Sequence, residues 1–190
     1  MEMKNLFGDL PTLETERLWL RKLTQEDAAD MFEYAADSEV SRYLTWEPHK
    51  SIEESCAFIQ TVLDAYREGQ VTDWGIEHKR DRKLIGTCGF IKWVRSRNCA
   101  EIGYALSQAY WHRGLMTEAV TGVADLGFRD MGIYRLEAFC APPNVGSARV
   151  LEKLGMHYEG TLRARFFFKG DYHNMQVYSI LRPEWSGIDA

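Results

Sequence analysis

Residues 109–132 read AYWHRGLMTEAVTGVADLGFRDMG, and the rest of the chain is organised around them. Val120, Val123, Ala124, Gly127 and Met131 recur at i, i+3, i+4, i+7 and i+11, one face of a helix. Gly132 supplies a stop. The helix opens just after His112, Arg113 and Gly114. A helix's first turn carries N–H groups without intrahelical partners and the positive end of the dipole. That end accommodates anions such as phosphate. Gly114 lets such a group approach the backbone, Arg113 and His112 add positive charge, and Thr117 adds a hydroxyl. A plain helix that happens to start after a glycine reads the same way, so the stretch alone leaves both readings open.

Working outward, residues 99–106 (CAEIGYAL), 83–94 (KLIGTCGFIKWV) and 74–78 read as strands of an antiparallel meander. Residues 134–141 are another strand, ended by Pro142-Pro143. Asn144 is then the N-cap of a short helix with Val145, Ala148, Leu151 and Leu154 inward and Gly155 at C′. The tail, 157–182, is two strands about Lys169-Gly170-Asp171. On the N-terminal side, residues 17–23 alternate Leu18 and Leu20 against Arg17, Trp19 and Arg21, a half-buried strand. Thr24-x-x-Asp27 and Ser51-x-x-Glu54 are capping boxes for two helices, with a loop over 37–50 between them. The expected order is β α α β β β α β α β β, a mixed α/β domain. Only residues 100–155 can build a parallel crossover, and ligands bind where strand order switches, beyond strand C-termini.

The 190 residues fit one domain spanning 1–190. A formal net charge of −5 speaks against a nucleic-acid partner. Cys56, Cys88, Cys99 and Cys140 are widely spaced with no CxxC pair, so no metal is expected, and free thiols in a reducing cytoplasm fit best. No apolar run nears the ~20 residues that cross a bilayer, so no membrane partner is expected.

Four motifs, EIGYAL (101–106), YWHRGLMTEA (110–119), NVGSARVLEKLGM (144–156) and the EGTLR…KGDYHNMQVYSILR tail, together resemble the GNAT acyl-CoA N-acyltransferases. The similarity is strongest to the branch of ribosomal-protein N-terminal alanine or serine acetyltransferases. It runs over almost the whole chain. It implies the GNAT fold, a mixed and mostly antiparallel sheet of about seven strands flanked by four helices. It implies acetyl-CoA as co-substrate. The pyrophosphate would meet the amides of His112, Arg113, Gly114, Leu115, Met116 and Thr117. The pantetheine arm would pair with backbone near Ala105 and Leu106. Asn144 would contact the pantetheine side, and Lys153 or Arg149 would reach phosphate. Met116 departs from the Gly or Ala of the family loop, which a backbone site tolerates where that side chain points away.

Transfer to an amine requires a neutral amine, a stabilised oxyanion and a leaving thiolate. Glu101, on an otherwise apolar strand, is the candidate base, acting through water; the alternative is a strand-edge carboxylate that only fixes a loop or binds substrate charge. A backbone N–H near Tyr104 or Ala105 would meet the oxyanion. Many family members use a Tyr on the last short helix as acid, where this chain has Leu151. In the resembling branch a Ser serves, here Ser147. Tyr43, Trp46 and Phe167 are the candidate acceptor contacts, aromatic side chains that packing would equally explain. The expected acceptor is a primary amine: a ribosomal or other protein N-terminus, or a small amine. The expected protein is a cytoplasmic monomer or homodimer. The competing reading is a catalytically weak acyl-CoA-binding sensor.

Overall fold

The computed structural model describes residues 7–187. The strands are β1 (Leu13–Glu14), β2 (Leu18–Arg21), β3 (Asp73–His78), β4 (Lys83–Val94), β5 (Cys99–Leu106), β6 (Arg135–Cys140), β7 (His157–Phe168) and β8 (Asp171–Leu181). The helices are α1 (Ala28–Ala35), α2 (Ser38–Ser41), α3 (Ile52–Glu68), α4 (Leu115–Arg129) and α5 (Val145–Lys153). One sheet runs β1-β2-β3-β4-β5-β6-β8-β7. Its pairs are antiparallel except β5 with β6, which α4 joins as a crossover.

The expected fold class stands, with eight strands in place of about seven and five helices in place of four among the described residues. β1 is two residues long and has no alternation to read; it exists because Leu13 and Glu14 pair with Leu20 and Trp19. α2 is a single turn within the expected 37–50 loop, capped by the Asp37 carboxylate, which accepts from Glu39 N at 2.8 Å. The second capping box does not form. The Glu54 carboxylate accepts instead from Lys50 N at 2.8 Å, and the Ser51 side chain makes no cap bond. Val145 is 55% exposed rather than inward, because it opens α5 on the solvent side of the N-cap.

The alternation of β2 buries Leu18 and Leu20, and α4 buries its stripe from Leu115 to Phe128, with Met131 buried just beyond its end. Gly127 is where α4 crosses the sheet most closely. A Cβ there would lie 2.8 Å from Ile133 Cδ1 and 3.0 Å from Phe90 Cζ, so a larger residue would have to displace the tips of these two side chains. Phe7, Trp74 and Phe90 form an edge-to-face trio beneath it.

Asp73 is a polar intrusion at the start of β3. Its Oδ1 lies 2.8 Å from where a Cβ on Gly89 would be, and its carboxyl has no hydrogen-bond partner among the described residues. Burial pushes its pKa up to about 6. A carboxyl raised on folding costs nothing below its unfolded pKa and carries its full penalty above its folded one. Asp73→Asn is therefore expected to stabilise the protein by ~1–3 kcal/mol at pH 7.5 and by little at pH 4. Paired urea melts at the two pH values measure this, and equal effects at both would refute it.

Candidate active site

β5 and β6 run parallel only over Cys99–Arg135, Ala100–Leu136 and Glu101–Glu137. Beyond Glu101 the strands part, and a gap opens between the ends of β5 and β6. Ser107 N donates to Ile85 O at 2.7 Å, and Trp111 Nε1 donates to Leu106 O at 2.8 Å. Ladder alternation then turns the backbone of Ala105 toward β4 and that of Tyr104 and Leu106 toward the gap. Strand alternation also sends the Glu101 and Tyr104 side chains to opposite faces of the sheet.

Glu101 stands at the apex of the gap. Burial raises its pKa, and the neighbouring Glu137 carboxylate adds to the rise; Lys92 and Arg165 act against it. Glu137 pairs with Arg135 Nε at 2.6 Å, and Arg135 pairs in turn with Glu159 at 2.7 Å. On the other face, the Tyr104 hydroxyl lies 2.9 Å from Ser147 Oγ. Ser147 sits in the first turn of α5, and its N–H donates to Asn144 Oδ1 at 3.1 Å, the expected N-cap. Burial pushes the Cys140 thiol up to about 11, with Glu152 contributing, so it is a poor nucleophile at neutral pH. Leu151 is fully buried, a core residue where a proton donor would otherwise stand.

The end of β5 leads directly to the N-terminus of α4. Gly114 is its N-cap, at φ +76°, and His112 is also left-handed, at φ +60°. Among the described residues, the N–H groups of 112–117 have no protein acceptor. His112, Arg113 and Gly114 are exposed, whereas Leu115 and Met116 are buried. The Met116 side chain thus points into the core and leaves the loop's backbone open. Arg17 holds this loop from behind. Its NH1 donates to Arg113 O at 2.9 Å, and its guanidinium pairs with Glu118 at 2.7 Å. Burial would raise the Glu118 pKa, but bonds from Thr15 and Arg17 outweigh it and hold the carboxylate ionised. Lys153 and Arg149 are exposed on α5.

A cleft of about 490 Å³ lies beyond the end of β6, lined by Tyr43, Pro142, Pro143, Phe168, Tyr172 and Asn174 among others. Of the three aromatic candidates, only Tyr43 lines it. Trp46 packs beside His49 against the core, and Phe167 lies tilted against Tyr172 at the outer hairpin, 64% exposed. Sequence reading missed Glu137, because the register of a parallel pair leaves no local trace. It also missed Tyr104 as a partner of Ser147, 43 residues away.

A split parallel pair beside a helix end of open amides offers an anion a place at the C-terminal edge of the strands. Residues 17–157 match the family described as the acetyltransferase (GNAT) domain. The chain belongs to the GNAT acetyltransferase family, and it is an N-acetyltransferase. It is 38% identical over 173 residues to an uncharacterised N-acetyltransferase of Bacillus subtilis, YoaA, covering 91% of this chain and 98% of that one. It is 26% identical to the ribosomal protein uS5-alanine N-acetyltransferase of Escherichia coli, covering 92% of each. A solved ribosomal L7/L12 α-N-acetyltransferase in complex with coenzyme A shares the fold at a TM-score of 0.80 and 20% identity, covering 90% of this chain and 98% of that one. Among the described residues, no helix is long and apolar enough to cross a membrane.

Proposed function

We propose that the chain transfers an acetyl group from acetyl-CoA directly to a primary amine, as a single cytoplasmic domain working as a monomer or homodimer. The observation that carries this reading is the parting of β5 and β6 at Glu101, directly upstream of the unpaired amides of 112–117. Those amides fit a pyrophosphate, as does the inward Met116. The coenzyme A complex of the L7/L12 acetyltransferase relative agrees with that donor. The donor supplies an activated thioester, and the residues of this chain do the rest. The gap-facing backbone of Tyr104 and the Leu106 N–H meet the pantetheine arm, the Leu106 carbonyl being held by Trp111, with Asn144 on the arm's other side, and Lys153 or Arg149 reaches phosphate. Glu101 takes the amine's proton through water, and its raised pKa brings it nearer the operating pH. The Tyr104 N–H faces the developing oxyanion. Ser147 donates a hydrogen bond to the departing thiolate from the opposite face, which keeps the two proton-handling groups apart.

The acceptor approaches Glu101 through the cleft that Tyr43 lines, and Trp46 and Phe167, the other two expected contacts, lie outside that lining. A protein N-terminus is the acceptor favoured by the uS5-alanine acetyltransferase relative. The test is thiol release from acetyl-CoA with two panels, N-terminal peptides and small amines. Turnover with either supports the reading, and peptide preference selects the protein acceptor. Donor binding without turnover on any amine would overturn it.

A further inference from the structure

The gap between β5 and β6 holds a group that the reaction outlined above does not use. Tyr104 reaches from β5 across to α5, with its hydroxyl 2.9 Å from Ser147 Oγ and 3.4 Å from Ser147 O. Burial holds this phenol well above its ordinary range, so it stays protonated at working pH. Cys140, on the neighbouring β6 end, is likewise a neutral thiol. Ser147 is fixed from the other side by Asn144, which holds its backbone and not its hydroxyl. The serine's hydroxyl therefore meets Tyr104, with the Cys140 thiol as its other side-chain neighbour.

We propose that Tyr104 is a positioning residue for the leaving group: it donates to Ser147 Oγ and thereby leaves the serine's own proton free for the departing sulfur. This rests on the acetyl-transfer reading and on the role of Ser147 within it. A hydroxyl that accepts one hydrogen bond is a better donor to the next group in the chain. As the amine nitrogen bonds to the acetyl carbon and the C–S bond breaks, the electron pair goes to sulfur. Ser147 shares its proton with that sulfur, and none leaves Tyr104. The proton lost by the amine departs through Glu101, and solvent finally protonates the thiolate. The site for the thiolate thus presents the neutral hydroxyls of Ser147 and Tyr104, with Glu152 of α5 acting on Cys140 from the same side and the acidic pair Glu101 and Glu137 on the opposite face.

The experiment is a double-mutant cycle on Tyr104→Phe and Ser147→Ala, reading kcat by thiol release, donor affinity by calorimetry, and folding by thermal melt. Tyr104→Phe should lower kcat about 10-fold, the size of one hydrogen bond, with donor Kd within about twofold of wild type. In the Ser147→Ala background it should cost nothing more, because both act through one bond. A wild-type rate for Tyr104→Phe, or losses that multiply in the double variant, would overturn the proposal, since a packing role gives independent effects. A wild-type rate for Ser147→Ala would overturn it too, while leaving acetyl transfer standing. Absence of turnover by the wild type on any amine would instead remove the reading beneath it.

Discussion

Glu101→Gln is expected to slow acetyl transfer by ~10²–10⁴-fold while leaving acetyl-CoA affinity unchanged. The amide keeps the shape of the side chain and its place at the apex of the gap, but it accepts no proton. The pH profile gives an independent check. Burial and then the Glu137 charge raise the Glu101 pKa. A base works only when ionised, so kcat/KM should fall as pH drops through a value above the usual carboxylate range. Glu137→Gln removes the like charge and should move that acid limb to lower pH, in the direction opposite to a loss of base. Arg135 keeps Glu159 as a partner in that variant, so the strand end stays anchored. Full activity of Glu101→Gln, or an acid limb unmoved by Glu137→Gln, would refute the assignment.

Gly114→Asp is expected to weaken acetyl-CoA binding at least ~100-fold. The substitution places a carboxylate at the N-cap of α4, where it accepts from the same first-turn amides that a pyrophosphate would use. It competes with the donor and repels it. The left-handed backbone at φ +76° strains any side chain there. Gly114→Asn is the control, since asparagine tolerates that conformation and carries no charge. A few-fold loss in Asn against a collapse in Asp, with both variants melting near wild type, isolates the electrostatic effect. Calorimetry measures it. Equal Kd values for Asp and wild type would show that the donor's phosphates sit elsewhere.

Much of the frame was legible because it is written locally. The helical stripe of α4, the alternation of β2, the Asn144 cap and the Lys169-Gly170 turn each reside within one short contiguous stretch. What sequence reading missed depends on distant partners. β1 is a strand only because β2 is there to pair with it, and α2 is one turn fixed by a single aspartate. Glu54 caps through Lys50 rather than Ser51, a choice between two nearby amides that composition does not distinguish. Trp46, Tyr43 and Phe167 have similar aromatic character, yet one lines a cleft, one packs on the core and one faces solvent.

The sequence by itself determined the order of the longer elements, the glycine that opens α4 and the choice of Glu101 and Ser147 as candidates, because periodicity, caps and motif spacing are properties of neighbouring residues. Only the tertiary structure decided where β5 and β6 part, and so which carboxylate becomes Glu101's neighbour and which hydroxyl reaches Ser147. The physical reason is that a parallel register and a contact over 43 residues are set by how α4 packs on the sheet, an outcome of many weak burials that no single stretch encodes.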